Sequence, residues 1–169
     1  AERLYRESLA IRREIGDRKG EASSLNSLGN IAKTRGDLAE AERLHRESLA
    51  IEREIGNRQG EATSLNNLGN IAKTRGDLAE AERLYRESLA IRKEIGNPGG
   101  IASSLYNLGE IAEKRGDLAE AERLYRESLA IMREIGDRGR EATTLNSLGN
   151  IAEKRGDLAE AERLQRESH

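Results

Sequence analysis

The sequence predicts an all-α fold, a solenoid of stacked antiparallel helix pairs. Three observations lead there. First, residues 1–40, 41–80, 81–120 and 121–160 align without a gap, and the later blocks keep 34, 30 and 33 of the 40 residues of the first. A unit copied at that period reads as stacked supersecondary modules. Second, 36% of the 169 residues are charged and 36% hydrophobic, aromatics are 2%, and Phe, Trp, Cys and Val are absent. The apolar side chains are therefore almost all Ala, Leu and Ile, with four Tyr and Met132, and with Glu and Arg they favour helices over a β-sandwich or barrel. Third, the glycines punctuate each block at two fixed places.

The chain opens with residues 1–16, a helix of the second, or B, type with no A helix before it. Gly16, Gly56, Gly96 and Gly136 each follow a Glu-Ile pair, where a left-handed glycine ends a helix. Asp17, Asn57, Asn97 or Asp137 comes next as an N-cap. Pro98, the only proline, follows Asn97 at the first helical position, where its missing N–H is harmless. An A helix near 18–34 then buries Ala22, Leu25, Leu28, Ile31 and Ala32, and Gly29 allows close approach of another helix.

Gly36, Gly76, Gly116 and Gly156 end the A helices, and each precedes Asp-Leu-Ala-Glu. Asp37 caps the next helix and Glu40 reaches back to it, a capping box repeated at Asp77/Glu80, Asp117/Glu120 and Asp157/Glu160. The B helix near 38–55 carries Leu38, Ala41, Leu44, His45, Ser48, Leu49, Ile51 and Ile55 on one face. Its other face pairs Glu42 with Arg46 and Arg43 with Glu47 at i,i+4. The array divides into 1–16, then repeats at 17–56, 57–96, 97–136 and 137–169, the last B helix being truncated. Uncapped ends predict head-to-tail self-association.

The residues Leu25, Leu28-Gly29, Ala32, Gly36, Ala41 and His45 resemble the tetratricopeptide repeat pattern. The resemblance recurs in register through Leu65, Leu105 and Leu145, with Tyr85, Tyr125 and Gln165 at the place of His45. Leu stands for the usual Trp, Ala32 for an aromatic, and Ser48 for Ala. The 40-residue unit with Leu-Gly-Asn in helix A is similar to those of kinesin light chains, spindle-orientation scaffolds and the sensor arrays of signal-transduction NTPases. The resemblance implies a right-handed superhelix whose A helices line a concave groove that binds a peptide or partner protein.

On this reading the candidate site is the groove stripe of helix A, where the copies differ. It holds Asn26, Asn30 and Lys33 in the first copy, and Asn66, Asn67, Asn70 and Lys73 in the second. The third supplies Tyr106, Asn107 and Glu110, and the fourth Asn146 and Asn150. An amide offers both donors and an acceptor to a peptide backbone. The stripe therefore reads as a ladder of sequence-tolerant anchors with one aromatic. Lys33 and Lys73 in the first half against Glu113 and Glu153 in the second would orient a ligand of mixed charge. Asn30 with Asn67, or Asn70 with Asn107, matches the amide pair of the family's carboxylate clamp, but the basic partners are missing. The invariance of the exposed Glu42, Arg43, Arg46 and Glu47 in every complete copy argues against free drift as the cause of the stripe's variation.

Other functions find less support. Net charge is −2, from 29 basic and 31 acidic residues, which gives no drive toward nucleic acid or acidic membranes. No charged-then-apolar leader opens these residues and no apolar run approaches bilayer length, and the absence of Cys leads to the expectation of a reducing, cytoplasmic setting. No cofactor or metal is expected. With His45 a core residue and His169 terminal, no nucleophile has a base, and no catalytic residue is assigned. Arg-Gly-Asp at 35–37 and its three equivalents is expected to be folded into the turn. The alternative to a ligand-binding scaffold is a designed or excised self-stacking module with no dedicated ligand.

Overall fold

The computed structural model describes residues 1–168, and 86% of the chain is helical. Among the described residues the elements are α1 (Glu2–Ile15), α2 (Arg18–Thr34), α3 (Leu38–Glu54), α4 (Arg58–Thr74), α5 (Leu78–Glu94), α6 (Pro98–Lys114), α7 (Leu118–Ile135), α8 (Arg138–Lys154) and α9 (Leu158–Ser168). Even-numbered helices are the A type and odd-numbered ones the B type. The chain forms two compact units, Ala1–Ile91 and a second from Arg92 onward. Within each, consecutive helices pack as antiparallel neighbours.

The turns follow from the sequence. Gly36 has φ +83°, and the next N–H, of Asp37, donates to the Ala32 carbonyl at 2.9 Å, closing the A helix. The Asp37 carboxylate then accepts the Glu40 N–H at 3.0 Å. Each Arg-Gly-Asp is thus consumed by a turn, and Arg75 of the second one is ion-paired to Glu42. The reciprocal half of the expected capping box is absent. Glu40 does not reach back but receives Arg43 through two bonds of 2.8 Å, as Glu80 receives Arg83 and Glu120 receives Arg123. A guanidinium at i+3 offers a bidentate, charged partner, which outcompetes one backbone N–H.

The core of the first unit is continuous from α1 to α4, joining Leu9, Leu25, Leu28, Leu44, Ile51 and Ile71. No helix pair closes on itself. At the centre of the first three A–B contacts a glycine faces a ring. A Cβ on Gly29 would lie 2.7 Å from the His45 ring, and one on Gly69 or Gly109 would lie 2.6 Å from the ring of Tyr85 or Tyr125. Ser48, Ser88 and Ser128 are fully buried, and their hydroxyls donate to the carbonyls of Ala22, Ala62 and Ala102 at 3.0, 2.8 and 2.9 Å. The serine that departs from the family pattern is therefore a satisfied interhelical bond.

Ion pairs tie neighbouring copies together on the outside. In the first unit Arg53 of α3 meets Glu87 of α5 at 2.6 Å, Arg13 of α1 meets Glu47 of α3, and Arg75 of α4 meets Glu42 of α3. In the second unit Arg133 meets Glu167 at 2.9 Å and Arg155 meets Glu122. The expected i,i+4 pairs are present too, Arg46 to Glu42 at 2.8 Å and Arg43 to Glu47 at 3.3 Å. Glu42 and Glu47 each hold two arginines, so their invariance has a structural cause and is no measure of neutral drift.

The glycine–ring contacts make a paired prediction. Gly69→Ala forces the Tyr85 ring aside and should lower stability by about 1–3 kcal/mol in urea unfolding. Gly149→Ala meets only ordinary contacts, the nearest being Gln165 at 3.6 Å. It should be neutral or gain up to about 1 kcal/mol from helix propensity.

Candidate functional site

The stripe residues lie along the A helices, outside the cores. In the first unit Asn26, Asn30 and Lys33 stand on α2, and Asn66, Asn67, Asn70 and Lys73 on α4. In the second unit Tyr106, Asn107 and Glu110 stand on α6, and Asn146 and Asn150 on α8. Asn30, Asn146 and Asn150 are exposed and the rest half-buried. All twelve therefore present some surface.

Their polar groups are not equally available. Asn26 is drawn into a network at the seam of α2, α3 and α4. Its amide nitrogen donates to Ser64 Oγ at 3.2 Å, and its oxygen accepts from His45 Nδ1 at 2.8 Å. The oxygen of Asn70 accepts from the Tyr85 hydroxyl at 2.7 Å. In the second unit the Tyr125 hydroxyl donates instead to Glu113, at 2.9 Å, and Lys154 pairs with the same carboxylate. Asn146 accepts from the Ser168 hydroxyl at 2.7 Å. Asn66, Lys73, Asn107 and Glu110 also have partners. The B-helix residue at 45, 85 or 125 thus reaches up into the stripe and fixes one or another of its members.

His45 is the electrostatically unusual member. It is fully buried, and the bond to Asn26 requires the proton on Nδ1. Nε2 is then a buried acceptor with no partner. Burial pushes the imidazole down from 6.5 to about 4, with the Lys33 charge acting in the same direction. Tyr125 is pushed up, by burial first and then by its bond to Glu113.

A second set of residues, at the start of each A helix, escaped the stripe reading. Arg12, Glu52 and Arg92 each lie over the glycine eight residues on, so that a Cβ at Gly20, Gly60 or Gly100 would strike them. Arg92 donates to the Gly100 carbonyl at 2.8 Å and to Ser104 at 3.1 Å. In the fourth copy both members change, to Met132 and Arg140. A cavity of about 210 Å³ lies there, walled by Ser103, Tyr106 and Asn107 of α6, Met132 of α7, and Arg140, Thr143 and Thr144 of α8. The signal was present in the sequence as two simultaneous departures from the repeat. Among the described residues no cluster of three or more His, Asp or Glu could hold a metal ion. No helix described is long and apolar enough to cross a membrane.

The sequence matches a family profile described as tetratricopeptide repeat over residues 1–54, 22–94 and 100–169. No curated protein matches it. Among solved structures, BtubC (BKLC) from P. vanneervenii is similar with a TM-score of 0.90 at 26% identity, over 99% of this chain and 70% of that one. Aspartyl phosphate phosphatase F from Bacillus subtilis has a TM-score of 0.91 at 11% identity, over 98% of this chain but 44% of its own. The nearly identical TPR-like repeats of a kinesin light chain candidate from Podosopora anserina give 0.75 at 18% identity, over 99% of this chain and 83% of theirs. The likeness to kinesin-light-chain-type repeats read from the sequence is therefore present in the structure as well.

Two outcomes test these contacts. Unfolded His45 takes a proton near pH 6.5 and the folded one only near 4. Its contribution therefore stands in full above pH 6.5 and is lost as pH falls to 4, on the order of 3 kcal/mol. His45→Tyr, which copies the Tyr85–Asn70 arrangement, should remove that share of the pH dependence. It should also gain about 1–3 kcal/mol at neutral pH, measured by urea unfolding across the window. For the second contact, Gly60→Arg alone should cost about 1–3 kcal/mol, and Glu52→Met in the same chain should restore most of it. A double-mutant cycle with no coupling would refute the pairing.

Proposed function

Because the chain belongs to the tetratricopeptide repeat family, we propose that it is a non-catalytic protein-interaction scaffold, working in the cytoplasm, that binds an extended peptide or partner segment along the A helices. The observation that carries this reading is the placement of amides. One face of each A helix stands outside the packed cores, and exposed Asn30 and Asn150 with half-buried Asn67 lie on it. Amides there can meet both the N–H and the C=O of an extended backbone. The tied residues support the reading in another way. Asn26 and Asn70 are held by His45 and Tyr85, so their orientation is set before a ligand arrives, which lowers the entropy lost on binding. The nearly balanced charge favours protein over nucleic acid as the partner.

A second reading, self-stacking without a dedicated ligand, is favoured by the near-identity of the copies, the later of which keep 34, 30 and 33 of the 40 residues of the first. One experiment separates the two. The chain is offered a display library of extended peptides, beside a variant carrying Asn30→Ala, Asn67→Ala and Asn150→Ala. The scaffold reading expects peptides that the variant loses at least tenfold while keeping its helicity. A library that yields nothing, together with a sedimentation coefficient that climbs with concentration, would favour self-stacking instead.

A further inference from the structure

The cavity of the second unit arises from three departures that coincide. Arg140 takes the place of the glycine over which a charged side chain lies in the other copies, and Met132, 1% exposed, takes the place of that side chain. Arg140 turns aside. It donates to the Gly99 carbonyl at 3.2 Å and to Ser103 Oγ at 2.6 Å, and its Nε pairs with Asp137 at 2.9 Å. The third departure is Tyr106 at the place of Asn26. Asn26 bridges α2 and α4 by bonding Ser64. Tyr106 instead bonds Ser147, one turn further along α8, at 3.0 Å, and its ring tilts against Tyr125 with centroids 5.2 Å apart. Thr144, the counterpart of Ser64, turns its hydroxyl back to the Arg140 carbonyl at 2.8 Å. The space that Glu52 and the Asn26–Ser64 bond occupy in the first unit is thereby left open in the second.

The chemistry of that space is specific. Its polar groups are largely spent on one another. Ser103 already donates to the Gly99 carbonyl, Thr143 to Gly139, and Thr144 to Arg140. What faces inward is a thioether, methyl groups and an aromatic ring. At about 210 Å³ it falls below the roughly 300–1,000 Å³ of small-molecule sites, and suits one side chain. Met132 adapts to what enters, since an unbranched thioether repacks easily. At the rim stands Arg140, with its side chain 52% exposed and both hydrogens of Nη2 outside the bonds named above.

Resting on the scaffold reading, we propose that this cavity is the anchor subsite of the binding face. It takes one leucine- or methionine-sized side chain of an extended peptide, and Arg140 pairs with a carboxylate one or two residues away in the same peptide. A single buried anchor with a charged neighbour at the rim would give the second unit the selectivity that backbone-directed amides lack.

The chain holds one methionine, so a ¹³C-methyl label gives one signal, that of Met132. Random twelve-residue peptides are selected on the wild-type chain and the winners synthesised. The expected winners share Leu or Met with Asp or Glu within two positions, and their addition shifts the Met132 methyl resonance. Replacing that Leu or Met by Ala should weaken binding at least tenfold. The double variant M132R/R140G, which copies the Arg92–Gly100 arrangement and so preserves a packing this chain already uses, should also weaken binding at least tenfold with unchanged helicity and melting. R140Q should weaken acidic winners severalfold and leave their amide analogues unaffected. Winners that leave the methyl signal unmoved, or bind the double variant equally well, overturn the anchor while the scaffold reading stands. Winners with no acidic preference overturn the role of Arg140. A library that yields no winners overturns both readings.

Discussion

The close approach of a ring in α3, α5 and α7 to a glycine in the preceding A helix governs the rest of this structure. His45 on Gly29, Tyr85 on Gly69 and Tyr125 on Gly109 occupy space that any β-carbon would deny them. With the two helices so near, the small residues Ala22, Ala41, Ala62, Ala81, Ala102 and Ala121 become fully buried, and a serine hydroxyl at the same level reaches the opposing carbonyl. A chain with so few aromatics obtains its packing from closeness rather than from large side chains. The cost is a thin core. Each pair leaves an apolar edge that only the next copy covers, which is why the core of the first unit runs unbroken from α1 to α4.

The same closeness sets the charges outside. Glu21, Glu61 and Glu141 are 5, 6 and 6% exposed, and each is held by two arginines, one from the preceding B helix and one from its own first turn. The third copy changes all three members together, to Lys93, Pro98 and Ile101. A buried carboxylate stripped of one partner is costly, whereas replacing the carboxylate itself by an apolar residue such as Ile101 leaves no buried charge in need of a partner. The copies therefore diverge in physically coupled groups. Arg12 over Gly20 against Met132 with Arg140 is a second such group.

The helices and turns were legible because glycine, Asp or Asn caps and the apolar period are local signals. Their bounds in the structure fall within a residue or so of those read from the pattern. The reach of Glu40 was misread for an equally physical reason. A capping box and an i,i+3 arginine compete for one carboxylate, and the pattern names both without ranking them. The stripe of the A helices was legible as a surface but not as a set of contacts. Nothing local says that Asn26 will be shared between His45 and Ser64 while Asn30, one turn away, stays exposed. That distinction depends on which side chain of the neighbouring B helix projects beneath, and it changes from copy to copy as position 45 becomes Tyr85, Tyr125 and Gln165.

The dependence of the stripe on the B helix beneath it has a consequence for how such a face acquires selectivity. An amide exposed on a helix surface can bond any peptide backbone and by itself discriminates little. Changing the residue below alters which stripe member is held and which is released, and the helices need not move for this to happen. In the first unit a buried base and a phenol each engage one amide. In the second, Tyr125 engages Glu113, and Tyr106 occupies the seam position of Asn26. Because each seam involves only neighbouring copies, a paired change such as Met132 with Arg140 can open a recess at one place without altering the side chains of the other seams. A repeat array built on near-identical copies can thus vary its surface one seam at a time, through paired side-chain changes that leave the repeated backbone as it is.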